Sequence, residues 1–148
     1  ESGEPIATIN IKSSELVGID IPEELVSVAI DELPIILVAA ACAKGKTRLS
    51  GATELRVKES DRIQSMLDGF ISLGIKVKAL EDGMIIEGGQ YNGGVINSND
   101  DHRIAMAFSI AGIIAKAPII INSCKNVATS FPGFIDTAKH LGINIDYV

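Results

Sequence analysis

With 148 residues, of which 47% are apolar, 22% charged and 4% aromatic, the chain is long enough for one globular domain and too apolar to be disordered. A net charge of −6, with no basic stripe interleaved with aromatics, excludes a general attraction to nucleic acid or to an anionic membrane. The longest apolar run, Leu33 to Ala43, contains Pro34 and falls short of the roughly 20 residues of a membrane span, while two cysteines, Cys42 and Cys124, are too few for a disulfide framework or a metal cluster.

In chain order, Ile6 to Ile11 alternates apolar and polar residues and predicts a strand, and Leu16 to Ile21 predicts another. Pro22-Glu23-Glu24 opens a loop. A helix follows from Asp31 to Lys44, with Asp31 as N-cap, Pro34 in the first turn and Gly45 as terminator. Strands are predicted at Thr47–Leu49, Ile75–Leu80 and Met84–Glu87, the last two forming a hairpin around Glu81-Asp82-Gly83. Between the first and second of these, a helix starts at Ser60, and its apolar stripe is Ile63, Met66, Leu67, Phe70 and Ile71. Then come a strand at Val95–Asn97, a helix from Asp101 to Ala115, a strand at Pro118–Ile121, a helix at Gly133–Leu141 and a strand at Ile143–Tyr147.

The second half repeats the first. Asp31 matches Asp101, Thr47 matches Pro118, Lys58 matches Thr129 and Ile63 matches Phe134 at an offset of about 70 residues. The expected organisation is two copies of one α/β unit, about 1–90 and about 91–148, with helices packed on mixed sheets.

Charge concentrates in Leu55-Arg56-Val57-Lys58-Glu59-Ser60-Asp61-Arg62-Ile63. With Ser60 read as the N-cap, Arg62 lies in the first helical turn, where the dipole and the unpaired N–H groups favour negative charge. Either this is a solvated helix entrance with local ion pairs, or an external anion completes the site. Asn99-Asp100-Asp101-His102-Arg103 repeats the arrangement at the second helix. Two such entrances suggest a shared anion site where helix ends converge. Asp31 and Asp101 can be read as plain caps or as catalytic carboxylates, and His102 as a cap, a carbonyl partner or a site residue. His140 lies on another helix, so no pair of histidines has metal-ligand spacing. Met66 and Met106 are expected as core fillers. Gly88-Gly89 and Gly93-Gly94 match no nucleotide-binding loop, and no Gly-x-Ser-x-Gly elbow is present. No pattern among these residues calls for a metal or an organic cofactor. The cysteine usage predicts a reducing cytoplasm, and the absence of Met at Glu1, with no signal pattern there, predicts a piece of a longer chain.

Four runs in one order, Ile30-Asp31-Glu32-Leu33-Pro34, Leu55 to Ile63, Asp101-His102-Arg103-Ile104-Ala105-Met106 and Ala128-Thr129-Ser130-Phe131-Pro132, resemble the C-terminal part of the 5-enolpyruvylshikimate-3-phosphate synthases. The resemblance implies a lobe of three βαβαββ units, of which two are present, with the opposite N-terminal lobe of the same protein as partner. It implies transfer of enolpyruvyl from phosphoenolpyruvate to the 5-hydroxyl of shikimate 3-phosphate. By resemblance, Asp31 is a proton acceptor and shikimate-phosphate ligand, Glu59 the proton donor, and Lys58 a contact to shikimate 3-phosphate. Arg62 and Arg103 would hold phosphoenolpyruvate, and His102 would line the site and orient Glu59. Thr129 stands where many members carry Lys, a wording shared by another branch of the family. The alternatives are a lobe of the sister carboxyvinyltransferase acting on a UDP-aminosugar, disfavoured by Val57-Lys58-Glu59-Ser60-Asp61-Arg62, and a non-catalytic anion-binding module. The 148-residue piece alone is expected to be inactive.

Overall fold

A computed structural model describes residue 3 and residues 5–148; positions 1, 2 and 4, the start of the first expected repeat unit, lie outside the described residues. The elements are α1 (Glu23–Val26), α2 (Leu33–Ala40), β1 (Lys46–Leu49), a 3-10 helix (Thr53–Val57), α3 (Arg62–Ser72), β2 (Lys76–Leu80), β3 (Gly83–Glu87), β4 (Gly94–Asn97), α4 (His102–Ala111), β5 (Ile119–Asn122), α5 (Val127–Ser130) and α6 (Phe134–His140). The chain is of the α/β class.

The first sheet is antiparallel in the order β1-β3-β2, and Leu80 opposite Gly83 closes the hairpin through Glu81 and Asp82. The second sheet is the parallel pair β4-β5, joined by α4 as a crossover helix must join parallel strands. Residues 16–21 run parallel beside β1, with Lys44 N donating to Leu16 O at 2.8 Å and Ile21 N to Arg48 O at 2.9 Å. Only Val17 and Asp20 bridge there, so this expected strand is broken. Gly18 marks the break, because a Cβ on it would lie 2.2 Å from the Lys46 carbonyl oxygen.

Two expected strands fail for a common reason, the lack of a neighbouring strand to pair against, and two other boundaries differ. Ile6–Ile11 forms no strand, and Ile6, Ile9 and Ile11 stand almost fully exposed without a neighbouring ladder. Ile143–Tyr147 likewise forms no strand; Asp146 accepts from Lys139 Nζ at 3.1 Å instead. The helix expected over Asp31–Lys44 is α2 alone, capped at Ala41 and followed by a turn to Gly45, whose φ of +93° suits glycine. The loop expected at Pro22 opens into the single turn α1.

The core lies where α2, α3 and α4 cover the sheets. Phe70 meets Phe108 edge-on at 5.4 Å between centroids, and Tyr91 lies 6.4 Å from Phe70 with its hydroxyl donating to Val38 O at 3.0 Å. Burial pushes the Tyr91 phenol far up, with the neighbouring Cys42 adding to the shift. A Cβ on Gly69 would lie 2.3 Å from Phe108 Cζ, so this glycine lets α3 and α4 approach closely. Ile63, Met66 and Phe70 are buried as the stripe predicts, but Ile71 is exposed, and Met106 is half-buried at a groove, not a core filler.

Candidate active site

The close approach of α3 and α4 brings their N-terminal ends together beside the start of α2. Each end is capped by an aspartate with extended backbone. Asp61 Oδ1 accepts from Gln64 N at 3.0 Å, and Asp101 Oδ1 accepts from Arg103 N at 2.9 Å. The caps correct two expectations. Ser60 is not the cap of α3, because its hydroxyl donates to Asp101 Oδ2 at 3.1 Å. Asp31 is not the cap of α2, whose N-cap position is Glu32, because its carboxylate is taken by two arginines.

Arg62 is the hub. Its side chain is 1% exposed, yet it meets three carboxylates: Nε donates to Asp101 Oδ2 at 2.8 Å, Nη1 to Asp31 Oδ1 at 3.0 Å and Nη2 to Glu59 Oε2 at 2.6 Å. Burial works to lower its pKa, but the hydrogen bond and charge of Asp101, with Asp31 and Glu59, outweigh it and hold the guanidinium charged. Arg103 is 31% exposed and arrives from α4, with Nη2 donating to Asp31 Oδ2 at 3.3 Å and Nη1 to Asp31 O at 2.8 Å and Glu32 Oε1 at 3.4 Å. The two arginines therefore converge on one carboxylate.

Burial raises the carboxyl pKa of Asp31, but the hydrogen bond from Arg62 and the charges of Arg103, Arg62 and Lys58 hold it below the ordinary value. Asp101 is fully buried, and burial raises it too. The Arg62 bond and charge, Arg103 N and the Ser60 hydroxyl more than offset that. Lys58 pairs with Glu54 on the 3-10 helix, and its charge still reaches Asp31. The loop carrying Lys58 and Glu59 is clamped by Arg56, which donates to Glu81 O at 2.7 Å, Leu80 O at 3.0 Å and Asp61 Oδ2 at 2.8 Å. His102 is half-buried at the first residue of α4, and among the described residues no hydrogen bond joins its ring to Glu59. Thr129 is exposed on α5.

The structure thus brings Asp31, Glu59, Arg62 and Arg103 into one hydrogen-bonded cluster, with Lys58 and His102 at its margin. It also supplies what the sequence reading lacked. A cation in the first turn needs an anion nearby, and here that anion is the protein's own Asp101, with Glu32 as a further carboxylate on Arg103. Asp101 was legible as a cap or as a catalytic carboxylate but not as the partner of Arg62, because no spacing rule links the two across 39 residues. A groove of about 210 Å³, lined by Asp31, Pro34, Ile35, Arg103, Met106 and Ile110 among others, opens beside the cluster. An anion entering there meets Arg103 first and has to compete with Asp31 and Glu32 for it.

The chain matches the family model for EPSP synthase (3-phosphoshikimate 1-carboxyvinyltransferase) over residues 2–138. It is 56% identical over 143 residues to a Legionella pneumophila (strain Paris) protein named 3-phosphoshikimate 1-carboxyvinyltransferase, covering 97% of this chain and 33% of the relative. A Nitrosococcus oceani protein of the same name is 57% identical over 143 residues, covering 97% and 32%. Among solved structures, an EPSP synthase from Acinetobacter baumannii superposes with a TM-score of 0.86 at 51% identity, covering 89% of this chain and 32% of that one. The chain spans about a third of the length of these curated relatives.

Proposed function

We propose that this chain, which belongs to the EPSP synthase family, forms part of the site that moves enolpyruvyl from phosphoenolpyruvate to the 5-hydroxyl of shikimate 3-phosphate. The observation that carries the proposal is the meeting of Arg62 and Arg103 on Asp31, with Glu59 on the same guanidinium. The reaction needs a base, an acid and cations together, and those groups lie within one cluster.

In this reading Asp31 accepts the proton of the 5-hydroxyl as its oxygen bonds the central carbon of phosphoenolpyruvate. Glu59 gives a proton to the methylene carbon, making a methyl group. In the second half the carbon–oxygen bond to phosphate breaks, phosphate leaves, and Glu59 recovers a proton from the methyl group. Lys58 contacts shikimate 3-phosphate, while Arg62 and Arg103 exchange part of their carboxylate contacts for the anionic groups of phosphoenolpyruvate. His102 lines the site and orients Glu59 once substrates have loosened the Glu59–Arg62 bond. The remaining ligands come from the part of the relatives' length that this chain does not span, the opposite lobe among them. The two repeat units, about 1–90 and about 91–148, belong to the same proposal, supported by the parallel pairing beside β1 that resembles β4-β5. A cytoplasmic location fits Cys42 and Cys124, both free thiols, and no helix among the described residues is long and apolar enough to cross a membrane.

The test uses a full-length protein carrying this region. Glu59→Gln keeps shape and removes the acid, so turnover is expected to fall by about 10²–10⁴-fold while shikimate 3-phosphate binding changes far less. Unchanged turnover overturns the assignment. The 148-residue chain alone, given both substrates, is expected to release no phosphate in a coupled assay, because its cations stay hydrated without closure. Turnover near that of the full-length protein would show that this chain suffices.

A further inference from the structure

A second set of hydrogen bonds reaches the arginine hub from its far side. Asn99 Nδ2 donates to Ser65 Oγ at 2.9 Å, Ser65 Oγ to Ser60 Oγ at 3.2 Å, and Ser60 Oγ to Asp101 Oδ2 at 3.1 Å. That last oxygen is the one held by Arg62 Nε at 2.8 Å. Every donor in the series points toward Asp101, so each bond polarises the next in the same sense. Ser65 is 3% exposed and Asp101 fully buried, while Ser60 between them is half-buried.

The outer end sits on an unusual backbone. Asn99 and Asp100 adopt φ of 55° and 57°, two successive left-handed residues immediately before the α4 cap, a conformation that asparagine and aspartate tolerate better than most. Asn99 N donates to Asn97 Oδ1 at 3.0 Å, which holds the turn in place. The turn thereby aims the Asn99 amide back at α3.

We propose that Asn99 and Ser65 are positioning residues for Arg62, acting through Ser60 and the Asp101 carboxylate. Of the three carboxylates on Arg62, Asp31 and Glu59 are 43% and 49% exposed and can yield to an arriving anion, whereas Asp101 cannot move out to water. Arg62 therefore keeps its place during such an exchange only as well as Asp101 keeps its own. Asp101 Oδ1 is fixed by the α4 N–H groups and Oδ2 by the relay. The consequence for phosphoenolpyruvate rests on the function proposed above; the relay itself does not.

Two readouts separate these. In the ¹⁵N-labelled 148-residue chain, the Arg62 Nε–H signal reports its bond to Asp101. Asn99→Gly removes the donor while relieving the left-handed strain, and Ser65→Ala removes the middle link. Each is expected to shift that signal and speed its exchange with solvent by about fivefold, the effect of losing one hydrogen bond. The double variant is expected to match the larger single effect, because both cut one series. A merely structural role predicts instead that Asn99→Gly, with Tm unchanged or raised, leaves the Arg62 signal as it was. That result, or single effects that multiply in the double variant, overturns the relay. In a full-length protein carrying this region, Asn99→Gly is expected to raise KM for phosphoenolpyruvate about fivefold with kcat within about twofold. An Arg62 signal that depends on Asn99, together with no transferase activity in a full-length protein carrying this region, supports the relay and overturns the proposed function.

Discussion

The entrances of α3 and α4 are written alike, an aspartate cap followed within two residues by an arginine, yet they end in opposite environments. At α3 the cap Asp61 is 39% exposed and its arginine, Arg62, is 1% exposed; at α4 the cap Asp101 is fully buried and Arg103 is 31% exposed. The two ends are complementary halves of one joint. Arg62 crosses over to the buried cap of the other helix, while Asp61 turns outward to Arg56. Local code makes both helix starts, but which ion pair becomes a buried pivot depends on where the helices cross, and the Gly69–Phe108 contact sets that crossing.

The two helix ends differ most in what the loss of Arg62 costs. Arg62→Met fills the space but leaves Asp101 buried without its cation, so unfolding free energy in urea is expected to fall by about 3–5 kcal/mol. A loss below about 1 kcal/mol would mean that the buried end is no stronger than the exposed one. Acid attacks the same joint. Asp31 and Asp101 are both held below their ordinary value of 3.8, so the stability they contribute is fully present above about 3.8 and is lost as pH falls through the lowered folded values. Denaturation curves between pH 7 and pH 2.5 are expected to be flat above about pH 5 and to drop below pH 4, and Asp101→Asn is expected to flatten that drop.

Smaller effects belong to the exposed half. Asp61→Ala removes a cap and a half-exposed pair with Arg56, a loss of about 1 kcal/mol by the same urea measurement. A cost equal to that of Arg62→Met would erase the distinction between the two ends. Arg103→Ala is expected to change stability least, by under about 1 kcal/mol, because its pairs are partly in water. In a full-length protein carrying this region it is expected to weaken phosphoenolpyruvate binding markedly in titration calorimetry, since a charge-assisted contact is lost. Normal affinity in that variant removes Arg103 from the site.

Local pattern was enough for the helix that buries the stripe Ile63-Met66-Phe70 and for the β2-β3 hairpin. Periodicity and turn chemistry are local, and a buried partner was available for each. The sequence also singled out Asp31, Lys58, Glu59, Arg62, His102 and Arg103, because charge packed at a helix start is visible in one dimension. Ile6–Ile11 and Ile143–Tyr147 carried strand patterns that only a neighbouring strand could have realised, and among the described residues none lies beside them. The pairing of Arg62 with Asp31 and Asp101, the burial of one arginine and exposure of the other, and the Asn99–Ser65–Ser60 series were decided by tertiary structure alone. Each joins groups 31 to 41 residues apart, apart from the short Ser65–Ser60 link, and only the packing of α3 on α4, with the start of α2 beside them, brings them within hydrogen-bond reach.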